Sequence, residues 1–224
     1  MMAGVLVLSV CLVLGTVIGR AMLQLPPAPV QLEPQVMENL EASGVSHPVT
    51  AVLLNYRSYD TLLEIAVVLL ALLGILAVSG GERSTHRSIA ALPQPLLQSM
   101  VRLVVPLMVM VTGYLLWAGS HQPGGAFQAG AVLAAAGILL YLAGLLPAWA
   151  APGHKLRLGL VAGFIIFLAV AAMPLLWGDV LLQYPQGWAG GLILAIEAGL
   201  TFSLSLLLAG QFLWLPNEYE EAEE

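Results

Sequence analysis

The chain of 224 residues is 59% hydrophobic and only 9% charged, with a mean hydropathy of +0.92. A soluble domain carries roughly a quarter charged residues, so this composition cannot supply a charged surface, and lipid must be the solvent for most of the chain. Net charge is −6 with seven Lys and Arg scattered singly, which excludes the basic stripe that nucleic-acid binding needs, and the single cysteine, Cys11, excludes a disulfide framework or a thiolate metal site.

About 20 apolar residues cross a bilayer core. Segments of that kind occupy residues 3–23, 61–78, 97–118, 126–146, 158–177 and 188–213. The expected class is therefore all-α, a polytopic membrane protein with about six transmembrane helices. The first segment lacks a basic stretch ahead of its apolar run, and the run is long for a signal peptide, so an uncleaved helix is expected.

Residues 24–60 form the one long polar insertion, punctuated by Pro26, Pro27, Pro29, Pro34 and Pro48. Within it, residues 34–42 carry the signals of a short helix, with Pro34 at the first position and Gly44 just past the end. Val36, Met37 and Leu40 would share one face, resting on the membrane surface or on a neighbouring subunit.

Asp60 and Glu64 stand one turn apart where the second long helix begins. Two readings stay open. Thr61-x-x-Glu64 has the spacing of a capping box, and both acids suit the positive end of a helix; the alternative is an ion site. Arg57, three residues before Asp60, is placed to pair with it.

The next pair of spans is joined by Ser120-His121-Gln122-Pro123-Gly124-Gly125-Ala126-Phe127-Gln128. Proline and paired glycine impose an irregular backbone, tolerated at membrane depth only where protein or water covers it. His121 is either a solvated loop histidine or a proton relay, since imidazole titrates near neutral pH.

Small residues at i, i+4 spacing mark close helix contacts in lipid. They appear as Gly15 and Gly19, as Ala126, Gly130 and Ala134, and as Gly191, Ala195, Gly199 and Ser203. A second stripe on the last helix holds Glu197, Thr201 and Ser205. The two hydroxyls are explained by bonds to carbonyls one turn back. Glu197 is not, because a charge at helix centre costs roughly 2.5–3.5 kcal/mol on insertion scales. It is either a carboxylate on a proton or cation path or a neutral acid bonded to a neighbouring helix.

Lys and Arg favour cytoplasmic loops. Arg83, Arg87, Arg102, Lys155 and Arg157 fall on one side, whereas residues 119–125 and 178–187 carry none. With six spans, both termini and the acidic tail (Glu218, Glu220, Glu221, Glu223 and Glu224) are expected in the cytoplasm, with Arg20 and Arg57 dissenting. No Ser/His/Asp set, metal-ligand cluster or phosphate-binding glycine loop is present in the sequence, so neither enzymatic activity nor a cofactor is expected.

Two stretches resemble a known family. Residues 106–144, centred on His121-Gln122-Pro123-Gly124-Gly125-Ala126-Phe127-Gln128-Ala129-Gly130, are similar to the B-type subunit of Mrp-type sodium/proton antiporters, as is Ile196-Glu197-Ala198-Gly199 in the last span. Residues 55–64, Asn-Tyr-Arg-Ser-Tyr-Asp-Thr-Leu-Leu-Glu, resemble the carboxyl end of the large A-type subunit of those antiporters and the E-type subunit of membrane-bound hydrogenases. Ser58, Ala126 and Ala129 depart from glycines of those patterns. The resemblance implies a segment like the end of the A-type subunit over residues 1–90, a four-helix domain like the B-type subunit over 91–215, and a tail over 216–224. It further implies a plasma-membrane subunit of a bacterial or archaeal Na+/H+ antiporter, surrounded by lipid and partner membrane subunits. Asp60, Glu64, Glu197 and His121 would serve the ion path, and Pro123, Gly124, Gly125, Phe127 and Gln128 the loop. The same fold in a hydrogenase or other redox-driven or carbon-uptake complex, or as a structural scaffold, remains the alternative.

Overall fold

The computed structural model describes residues 2–26, 32–78, 95–146, 154–178, 180–185 and 187–213. Arg83, Arg87 and the acidic tail lie outside them. Among the described residues every regular element is helical. The chain divides into two compact units, Met1–Gln35 and Val36–Glu224.

The first unit is mainly α1 (Met2–Leu23), a continuous helix through the first expected span. Its described side chains are exposed nearly all round, and no residue of its own unit packs on Gly15 or Gly19. The short α2 (Leu32–Glu38) leads into the second unit. It begins ahead of Pro34 and ends sooner than expected. A 3-10 turn, Glu41–Ser43, follows, closed by Gly44 in the left-handed region at φ 80°.

The second unit continues with α3 (Pro48–Ala51), which runs straight into a π-helical turn, Val52–Tyr56. Four long helices and one shorter one complete it: α4 (Ser58–Val78), α5 (Pro95–Ala118), α6 (Ala126–Leu142), α7 (His154–Ala172, extended by a 3-10 turn to Trp177) and α8 (Ala189–Leu213). Helices α4, α5, α7 and α8 contain stretches long and apolar enough to cross a membrane, and α1 and α6 contribute shorter apolar runs. The α6 helix stops four residues before the expected end at 146, where Gly144 turns the chain at φ 66°.

The capping box, one of the two readings left open for Thr61 and Glu64, does not form. Helix α4 opens three residues earlier, at Ser58, so Thr61 lies past the cap, and its hydroxyl donates to the Leu53 carbonyl at 2.6 Å. Asp60 does stand in the first turn, paired with Arg57 on the exposed face.

Helix α8 is the centre of the unit, packed against α6 on one side and α7 on the other, while α5 lies on α6. Its Ile193, Ile196, Leu200, Leu204 and Leu207 are almost wholly buried, with Phe167 of α7 and Ile65 of α4. Lipid tails are as apolar as leucine, so close backbone approach and interhelical hydrogen bonds must hold such helices together. Gly163 of α7 supplies the approach: a Cβ there would stand 2.7 Å from both the Gly199 carbonyl oxygen and the Ser203 Cβ. Ser203 supplies the bond, donating to the Leu160 carbonyl at 2.5 Å. On the other side Gly130 of α6 meets Leu204 and the Thr201 carbonyl.

The stripe on α8 is therefore divided. Gly199 and Ser203 face α7, whereas Gly191 and Ala195 are exposed. The Thr201 hydroxyl donates to Glu197 O at 2.8 Å and that of Ser205 to Phe202 O at 2.7 Å, both within the helix.

Candidate functional site

The loop between α5 and α6 turns back on a single carbonyl. Leu115 O accepts from Gly119 N at 3.1 Å and from Gly125 N at 2.9 Å. That doubling leaves no room for side chains. A Cβ on Gly124 would stand 2.5 Å from Leu115 O, and one on Gly119 would stand 2.7 Å from the Gly125 Cα. Gly125 itself sits at φ 107°, a conformation open to glycine and strained for other residues.

The loop brings the start of α6 against Glu197. The backbone amide of Ala126, the first residue of α6, hydrogen-bonds the Glu197 carboxyl, so the positive end of a helix meets a carboxylate. Glu197 is eight residues beyond Ala189, about 12 Å along α8 at 1.5 Å per residue. It is 3% exposed, and its Oε2 has no hydrogen-bond partner among the described residues. A buried carboxylate with an unmatched oxygen is costly in an apolar medium, so its charge has to be met by a proton or a cation.

The insertion closes the other side. Ser46 N and His47 N both donate to Ser120 O, at 3.0 and 3.1 Å. The Thr50 hydroxyl donates to Gly119 O at 2.5 Å. Asn55 Nδ2 donates to Ser43 O at 3.1 Å and Tyr56 OH to Asn39 O at 2.5 Å, fixing the π-helical turn to the segment before it.

Between these walls lies a cavity of about 330 Å3. Glu64 from α4 and Glu197 from α8 both line it, together with His47 and Thr50 of the insertion, Thr61 of α4, and Gly124, Gly125, Phe127 and Gln128 of the loop and α6. Two acids far apart in the chain thus share one space. The other expected members stand elsewhere. Asp60 is exposed in its pair with Arg57. His121 is exposed and its ring lies 5.4 Å from that of Trp117. Pro123 is exposed at the loop's tip. Among the described residues no group of three or more His, Cys, Asp and Glu is gathered to hold a metal ion.

Three features of the site escape a reading of the sequence: Gly119 in the loop turn, and His47 and Thr50 on the cavity wall. Gly119 precedes the recognisable loop motif, although its role is equal to that of Gly124. His47 and Thr50 fall in a stretch that reads as a polar insertion. The signal that marks them is Pro48, which follows His47 and occupies the first position of α3.

Residues 96–210, just over half of the chain, match the model of a family described as "Domain related to MnhB subunit of Na+/H+ antiporter". No curated protein matches the chain. The fold is similar to one chain of the Mrp complex from Dietzia sp. DQ12-45-1b, at 21% identity and a TM-score of 0.69. That match covers 98% of the present chain and 27% of the Dietzia chain, so the protein spans only about a quarter of that relative's length. It is also similar to a chain of the membrane-bound sulfane sulfur reductase, an archaeal respiratory membrane complex, at 22% identity and a TM-score of 0.67, covering 94% of this chain and 98% of that one.

Proposed function

The chain belongs to the family of domains related to the MnhB subunit of Na+/H+ antiporters, and on that premise we propose that it is a membrane subunit of a multi-subunit cation/proton antiporter, lending the complex a carboxylate-lined stretch of the cation path. The single observation that carries this is the cavity shared by Glu64 and Glu197.

Each carboxylate holds either a proton or a monovalent cation such as Na+, and exchange of one for the other at the same oxygens couples the two flows. Glu197 is suited to it because its Oε2 is buried and unmatched by protein donors. The Gln128 side chain on the cavity wall offers an uncharged oxygen that does not compete for the proton. Asp60 and His121 act from outside the cavity, where they tune access to it. The subunit performs no covalent chemistry, and the driving force comes from larger partner subunits in the plasma membrane. Both termini lie in the cytoplasm.

Replacing Glu64 and Glu197 together by glutamine in the assembled complex tests the proposal. Na+-driven proton flux in membrane vesicles is expected to vanish while assembly is retained. Undiminished flux would refute it.

A second reading keeps the fold and changes the machine: a subunit of a redox-driven membrane complex. The near full-length similarity to a chain of the sulfane sulfur reductase favours it. Identifying the partner chains in the purified particle decides between the two, since redox subunits are required by one and not the other.

A further inference from the structure

We propose that His47 relays protons between the aqueous face and the Glu64–Glu197 cavity, an inference that rests on the ion-exchange reading above. His47 is the N-cap of α3, and its backbone amide is anchored on Ser120 O. Its ring Nδ1 lies 3.2 Å from Thr50 Oγ1. A threonine hydroxyl has a single proton, and that of Thr50 is committed to Gly119 O at 2.5 Å. Thr50 therefore accepts from His47. This fixes a proton on Nδ1 in both the neutral and the charged ring, and Nε2 is left as the nitrogen that gains and loses one.

Thr50 is 6% exposed, so water does not compete for this bond. His47 is only half-buried and lines the cavity, which gives one ring access to both sides. The titratable groups sharing that space are Glu64 from α4 and Glu197 from α8; the loop and α6 present backbone and the Gln128 amide. Asp60 is occupied by Arg57, and the His121 ring lies tilted against Trp117, outside the cavity lining. Imidazole is the side chain suited to passing protons near neutral pH.

The step balances. Nε2–H of the charged ring breaks as an O–H bond forms on a cavity carboxylate, and the monovalent cation held there departs. The neutral ring then takes a proton from a hydronium ion on the face that carries residues 41–57, leaving a water molecule there. One proton enters and one cation leaves.

The test measures cation-driven proton flux by the whole complex in membrane vesicles, with His47→Gln and His47→Ala. Glutamine retains an N–H donor for Thr50 but cannot titrate. Flux in both variants is expected to fall about a hundredfold, the low end of what a positioned acid–base group contributes, with the half-saturating Na+ concentration unchanged. Added imidazole should restore flux in His47→Ala. Wild-type flux in His47→Gln overturns the relay, and so does a loss in the assembled His47→Ala complex that imidazole leaves uncorrected. The double variant Glu64→Gln with Glu197→Gln separates the two levels. If it exchanges cations normally, the cavity reading itself fails; if it is inactive while His47→Gln is normal, only the relay fails.

Discussion

Oε1 of Glu197 stands where a side chain on Gly125 would have to go: a Cβ on that glycine would lie 2.8 Å from the carboxylate oxygen. The acid and the glycine are therefore one design, in which the missing side chain is the space the carboxyl occupies. Gly125→Ala should displace Glu197 and add about 1–3 kcal/mol of backbone strain at φ 107°. Expected results are a lower melting temperature of the purified complex and loss of Na+-driven flux. A variant with wild-type melting and flux would contradict this coupling.

Gly163 should be as intolerant for a different reason. Leucine there would drive into the Gly199 carbonyl and Ser203, prising α7 from α8 at a cost of about 1–3 kcal/mol or more. Gly137 on α6 has nothing within 4 Å of its Cβ position. Alanine at Gly137 should therefore not lower the melting temperature of the isolated chain, and removing the helix-interior cost of glycine should raise it slightly, which makes it the control.

Thr50 joins the insertion to the loop through one hydroxyl. Thr50→Val keeps the shape but leaves the Gly119 carbonyl and His47 Nδ1 without their partner, at about 1–3 kcal/mol for a buried unsatisfied group. Thr50→Ser keeps the hydroxyl and should melt close to the wild type. Similar melting of the valine and wild-type proteins would show that the bond contributes nothing.

Tyr184 sets a limit on alkaline stability. Burial pushes its phenol from 10.0 up to about 12. The folded state then holds a proton that the unfolded chain releases. The stabilisation is whole below pH 10 and is lost as pH rises through about 12. Tyr184→Phe has no such proton, so its melting temperature should fall less than that of the wild type between pH 8 and pH 11. Equal falls would exclude the effect.

The spans were legible because a run of apolar residues has no other stable solution in a chain this poor in charge. Glu197 was legible as a cost and Gly199 and Ser203 as a contact, each from spacing along one helix. The start of α4 was misplaced because Thr61-x-x-Glu64 satisfies a local rule, whereas the π-helical turn at Val52–Tyr56 carries the chain into the helix from Ser58. What spacing cannot show is convergence. Glu64 and Glu197 meet because α4 and α8 both pack into the same unit, a relation with no local signature. His47 was hidden for the same reason: its importance comes from the Ser120 and Gly119 carbonyls, far along the chain.

The cavity has one wall in residues 47–64 and the other in residues 124–200, joined by the bonds of Ser46, His47 and Thr50 to the carbonyls of Gly119 and Ser120. Neither half encloses a space alone. A partly folded or divided chain therefore lacks the cavity altogether, and the same few bonds that join the insertion to the loop are the ones that complete it.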